Sequence, residues 1–388
     1  MHWLLTLIVL FVSYGSLYPF SFDVDLVTEG SIRHFLTDFP TWSDRGNVIA
    51  NSILFMPYGF VAVLATLRGA CPRALLAFYL LLGLALALIL QAAQLLIVGR
   101  NPSIGDAIIN SAGMLAGTVI GFALASSMRS GAATRKKSEL LIPLGLATLW
   151  LAYRWFPLVP ALDVQNIKDG LKPLFLSPQL DVSRLLASAT GWVAWTVILL
   201  RLRVPWVNRL TIACAAVAVV AFQPFFVSNT ISVANVAGLA IALALLPAMR
   251  HHEAVTLAIV GLLLSLLVSG MHPFTLADPR NDFLFLPMAG YLGGSMEVNA
   301  MNLILKSYLY GALVYLLHKN GAGWGSAGLV VALWLAMIEV AQIWIATRTP
   351  EITDPLLALL IAHVMSRLDR HTTLDEKRSA VRHFRPER

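Results

Sequence analysis

Residues 74–106 read ALLAFYLLLGLALALILQAAQLLIVGRNPSIGD. No charged side chain occurs from Ala74 to Val98. A helix rises about 1.5 Å per residue, so a run of this length crosses the roughly 30 Å hydrocarbon core of a bilayer. In lipid the backbone has no water to bond, which leaves a helix as the simple solution. The run then breaks into a polar turn holding Arg100, Asn101, Pro102 and Ser103. Asp106 follows, placed to open the next helix at the positive end of its dipole.

The same alternation of apolar span and polar turn fills the chain. Of its 388 residues, 58% are hydrophobic and 13% charged, about half the charged share of a soluble domain. Apolar spans fall at 3–18, 47–67, 74–98, 104–127, 139–156, 184–201, 207–224, 230–249, 254–271, 297–317, 325–346 and 352–367. The fold class expected is all-α: a polytopic membrane protein of about twelve transmembrane helices. The first span has no Lys or Arg before it and no A-x-A-like site after it, so it reads as a retained helix rather than a signal peptide. The two cysteines, Cys71 and Cys214, are far apart and the nine histidines form no HExxH pattern. That excludes a disulfide scaffold and a cysteine-built zinc site, and no metal or cofactor is expected.

Charge placement sets the topology. With the N-terminus inside, the inner segments hold 18 Lys/Arg against 6 acids, and the outer side and outer helix halves hold 10 against 15. The positive-inside rule then puts both termini in the cytoplasm of a bacterial inner membrane. The net charge of +7 reflects this asymmetry, and the basic tail 371–388 reads as an anchor near anionic headgroups, not a nucleic-acid arm. Trp150, Trp155, Trp192 and Trp206 read as an interfacial belt.

The polar turn recurs. Residues 94–106 (QLLIVGRNPSIGD) and 342–354 (QIWIATRTPEITD) match at six of thirteen positions, Gln, Arg, Pro and Asp among them. Residues 223–235 (QPFFVSNTISVAN) match the first copy at three positions and keep polar residues at the same spacing, Gln223, Asn229 and Asn235. Tyr18-Pro19-Phe20 is similar to His272-Pro273-Phe274, and Tyr58-Gly59 to Tyr310-Gly311. Long outer segments rich in Pro, Phe and Asp lie at 19–46, 157–183 and 272–296 and suit the interface as short amphipathic pieces. The chain therefore reads as three four-helix units, 1–130, 138–250 and 253–370, before the tail.

The candidate site is drawn from these turns. Arg100 and Asp106, Arg348 and Asp354, with Gln94 and Gln342, sit at the outer ends of their helices. An outward Arg grips a carboxylate or phosphate through two donors. Asn47, Asn51 and Asn110 fall where they reach the first cluster. Lys306 and Glu339 lie at matching depth on adjacent helices, so an ion pair or a shared wet pocket is expected between them. The plainer reading has Arg100 pair with Asp106 across its hairpin, tying two helices together. Gly113, Gly117 and Gly121, at four-residue spacing, read as a face for close helix packing.

These residues resemble the VanZ-like membrane family. The resemblance rests on Asn47 and Asn51, the Phe55-Met56-Pro57-Tyr58-Gly59 step, Gln91 and Gln94, Arg100, Asp106, and Asn110 with Gly113. Glu339, Gln342, Arg348 and Asp354 repeat it without the last element. It covers residues 41–127 and 297–367, and Gln91 stands where an acid is commoner. The resemblance implies a cell-envelope role: members are implicated in low-level resistance to teicoplanin, and others look associated with envelope polysaccharide. It implies no defined reaction.

The function expected is therefore non-enzymatic: binding or moving an anionic lipid-linked or glycan intermediate, with membrane lipid and an envelope-biosynthesis protein as partners. A different class is an intramembrane enzyme on an undecaprenyl-type lipid, with Glu339 as acid or base, Arg348 as phosphate clamp, or Asp106 and Asp354 on a divalent cation. A third is a scaffold subunit of an exopolysaccharide system.

Overall fold

The computed structural model describes residues 2–39, 45–66, 72–131, 137–176, 178–202, 204, 207–247, 251–292 and 295–383. Among them there are fifteen α-helices and no strand. In order these are α1 (His2–Leu17), α2 (Glu29–Thr37), α3 (Arg45–Thr66), α4 (Pro72–Gln94), α5 (Ile104–Gly131), α6 (Lys137–Arg154), α7 (Val164–Phe175), α8 (Val182–Leu200), α9 (Arg209–Phe222), α10 (Val233–Leu245), α11 (His251–Met271), α12 (Ala289–Leu292), α13 (Met296–Lys319), α14 (Trp324–Gln342) and α15 (Thr353–His383). Each apolar span read from the sequence falls on one of them. Six are long and apolar enough to cross a membrane, among them α4, α8 and α14, and α1, α9 and α10 are shorter apolar helices. The all-α expectation stands.

Helix starts follow local chemistry. Asp163, Asp181 and Ser232 accept from backbone amides two or three residues ahead, opening α7, α8 and α10. Asn208 and Thr211 exchange bonds in a capping box at the start of α9. The long segments read as outer from the charge pattern carry the short helices α2, α7 and α12. Apolar side chains at Leu162, Phe175 and Leu176 stay exposed around α7, which suits an interfacial position.

The chain divides into two compact units, Met1–Ala133 with Tyr291–Asn299, and Thr134–Gly290 with Ala300–Arg388. In the first, α3 and α5 meet backbone to backbone. A Cβ added at Gly113 would strike the carbonyl of Ser52, one at Gly117 that of Met56, and one at Gly59 that of Met114. The small-residue face read from the sequence is thus a helix contact. Phe55, Tyr58, Ala62 and Met114 form the core behind it. Leu81, Leu88 and Ile89 on α4 point outward, as the lipid face of a spanning helix does.

In the second unit the core is aromatic. Trp150 and Trp192 are fully buried and meet edge to face at 5.3 Å, with Trp150 tilted against Tyr308 at 4.8 Å. This corrects the interfacial-belt expectation for these two residues. Apolar surroundings accept the indole body anywhere in the bundle, so proximity to a span end does not force a Trp outward. Trp206 lies outside the described residues.

Candidate functional site

The polar turns form clasps of one design. In each, the outer segment runs back along the turn and exchanges two backbone bonds with it. Val98 N donates to Ser21 O and Asp23 N to Leu96 O. Val227 N donates to Val159 O and Ala161 N to Phe225 O. Ala346 N donates to Thr275 O and Ala277 N to Trp344 O. The X-Pro bonds at Tyr18-Pro19, Phe156-Pro157 and His272-Pro273 are all cis, and Phe20, Leu158 and Phe274 all take positive φ. Gly99, Ser228 and Thr347 share a positive φ on the turn side.

The side chains singled out from the sequence complete the clasps. Arg100 donates to Tyr18 O at 3.1 Å, Asn229 to Phe156 O at 3.2 Å and Arg348 to His272 O at 2.7 Å. In every case the acceptor is the carbonyl before the proline. Gln94 donates to Ser16 O and Gln223 to Arg154 O, at 2.8 and 2.9 Å. These are C-terminal carbonyls of α1 and α6, which an α-helix leaves without internal partners. Burial lowers the pKa of both Arg100 and Arg348, though a guanidinium stays cationic. The Phe156-Pro157-Leu158 step was missed from sequence, and its signal was a proline just beyond the end of the span.

In the first unit Asp106 sits at the start of α5. Asn51 Nδ2 donates to its Oδ1 at 3.1 Å, and Ser103 Oγ donates to Oδ2 at 2.9 Å while accepting from its amide. Asn110, one turn on, and Gln91 on α4 are buried, with Oδ1 and Oε1 finding no hydrogen-bond partner. Asn51, Asp106 and Ser103 are thus brought together. The side chain of Asn47 lies outside the described residues.

The second unit holds the denser cluster. Lys306 Nζ donates to both oxygens of Asp354 at 2.8 Å, and Tyr310 OH donates to Oδ2 at 2.7 Å. The expected Lys306–Glu339 ion pair is therefore corrected to Lys306–Asp354. Glu339 turns its Oε2 toward Glu351 N at 2.8 Å, capping a bare amide just before α15. Its carboxyl also lies against that of Asp354, within electrostatic reach of Lys306, and Arg348 feels it in turn. Glu351 accepts from Gly290 N at 3.1 Å, and burial raises its pKa. Gln342 is buried at the end of α14, its carbonyl accepting from Asn281.

Tyr310, Glu351 and Asn281 were not among the residues drawn from the sequence. Tyr310 carried a signal in its pairing with Tyr58. Among the described residues no group of three or more His, Cys, Asp or Glu is arranged to hold a metal ion.

No curated protein and no solved structure matches the chain. Residues 3–125 match the family model described as VanZ/LLP1. That range begins well upstream of the motif residues and takes in α1 to α4, most of α5, the first clasp and the Asp106 cluster. Over this range, ending at residue 125, the chain is similar to the VanZ-like membrane proteins.

Proposed function

We propose that the protein binds or moves an anionic cell-envelope intermediate, lipid-linked or glycan, and that Lys306 is the group the anion meets. One observation carries this reading. Lys306 lies on a spanning helix with its side chain 32% exposed, while the Asp354 that neutralises it is 6% exposed. The cation is the reachable member of the pair. Ionisable groups at membrane depth are costly and mark sites or pathways. An arriving carboxylate or phosphate competes with Asp354 for Nζ, and Tyr310 remains to hold Asp354 once it is displaced.

In this reading the chain lies in a bacterial inner membrane with both termini cytoplasmic, the orientation that the distribution of its basic residues favours. The three clasps are copies of one unit. Arg100 and Arg348 anchor the outer segments through the Tyr18 and His272 carbonyls.

The test uses full-length protein in nanodiscs of zwitterionic lipid, with undecaprenyl phosphate as the added probe. Native mass spectrometry is expected to show its selective retention. Lys306→Gln at normal protein level is expected to weaken retention about tenfold, the loss of one charge-assisted contact. Equal retention by the variant removes the reading. A second reading, an enzyme acting on a lipid phosphate, is favoured by the Glu339 and Asp354 carboxyls lying together. Phosphate release by wild type, lost in Glu339→Gln with binding intact, selects it.

A further inference from the structure

Arg154 closes α6 in the centre of the second unit. It is 3% exposed, and none of the described carboxylates pairs with it. Its terminal nitrogens donate only to neutral amide oxygens, Asn235 Oδ1 at 3.2 Å and Gln223 Oε1 at 3.3 Å. The guanidinium carbon stands 5.5 Å from the Trp150 ring centroid and 5.6 Å from that of Trp192. Its Nε meets no acceptor, and neither do the buried indole N–H groups of Trp150, Trp192 and Trp195.

A buried, uncompensated guanidinium is among the most costly groups a fold can hold. The amides and indole faces offset part of that cost, but none carries negative charge. Lys306 in the same unit shows the ordinary solution, a carboxylate bound through both oxygens. Asn235 occupies the place in QPFFVSNTISVAN that Asp354 occupies in QIWIATRTPEITD. The position that supplies the acid elsewhere supplies an amide here.

We propose that Arg154 holds a small inorganic anion of the halide class, which takes the place of the carboxylate that Asn235 lacks. The unsatisfied Nε supplies a donor, and the two rings that flank the guanidinium, Trp150 and Trp192, each carry an unsatisfied indole N–H. The guanidinium is enclosed, with Trp150 1% exposed and Trp192 0% beside it. That enclosure excludes a sugar or a lipid headgroup. The inference stands on different residues from the Lys306 reading and survives if that reading fails.

The test titrates detergent-solubilised full-length protein with sodium bromide replacing sodium gluconate at constant ionic strength. Bromide quenches indole fluorescence on contact, so wild type is expected to show a saturable quench together with a rise in melting temperature. Asn235→Asp places a carboxylate beside the guanidinium. It is expected to keep or raise the melting temperature in gluconate and to weaken the bromide response at least about tenfold. Arg154→Gln is expected to lose the response too; if it does not fold, Asn235→Asp carries the comparison. A wild-type response no different from that to gluconate overturns the proposal. So does a saturable response kept at full strength in Asn235→Asp.

Discussion

Asp354 holds Lys306 through both carboxylate oxygens at 2.8 Å while Tyr310 bonds Oδ2 at 2.7 Å. The pair joins α13 to the first turn of α15, and each member is the main compensation for the other's burial. Removing one partner leaves a stranded charge. Lys306→Met is expected to destabilise by about 2–3 kcal/mol, below the full buried-pair range because the lysine side chain is 32% exposed. The double variant Lys306→Met with Asp354→Leu is expected to recover part of that loss. A double-mutant cycle on melting in detergent measures the coupling, and strict additivity would show that the two residues do not act as a pair.

The α3–α5 contact makes a sharper demand. Gly113 and Gly117 face the carbonyls of Ser52 and Met56 with no room for a side chain. Gly117→Val is expected to force the helices apart at a cost of about 3 kcal/mol or more, because backbone cannot yield as a side-chain tip can. Gly145, which has nothing near its missing Cβ, is the control. Its substitution by Ala is expected to be neutral or mildly stabilising in the same melt.

Much of this was legible from composition and period, and the reason is physical. Lipid imposes one backbone solution, so the apolar runs located every long helix. The four-residue glycine spacing on α5 is a pure sequence signal of close helix packing, and the structure supplies its partners, the Ser52 and Met56 carbonyls. Side-chain partners were less accessible. Lys306 and Glu339 were matched by depth along their helices, but depth does not fix rotation about the axis. Asp354, one helix further on, takes the lysine. Arg100 and Arg348 read as outward ligands because their acceptors, the carbonyls of Tyr18 and His272, belong to backbone that carries no residue signal. Arg154 was passed over among the basic residues assigned to the outer side. Only its burial distinguishes it from a headgroup-facing arginine.

The clasps carry one more consequence. Thr347 holds φ at 63°, where Gly99 holds 79° at the same step of the first turn. A β-branched residue in the left-handed region costs roughly 1–2 kcal/mol that glycine avoids. Part of that gain returns as the larger backbone entropy glycine loses on folding. Thr347→Gly is therefore expected to stabilise by about 1 kcal/mol and Gly99→Val to destabilise by at least as much, read as opposite shifts in melting temperature. Shifts of the same sign would mean that backbone conformation does not govern these turns.

Glu351 gives the protein a pH response whose sign can be stated. It lies in the connection between α14 and α15, where burial raises its carboxyl pKa and the Gly290 amide only partly counters this. The folded state therefore holds the proton more tightly than the unfolded chain does. Stability from this group is fully present below the unfolded-state value, about 4.3, and is lost as pH rises through the higher folded value. Gln in its place keeps an oxygen for Gly290 and has no charge to bury. Glu351→Gln is thus expected to melt higher than wild type at neutral pH and to converge with it in acid. Melting curves collected from about pH 4 to 8 decide the matter. A variant that loses stability at pH 7 would show that the ionised carboxylate, through its bond to Gly290, is the form the fold requires.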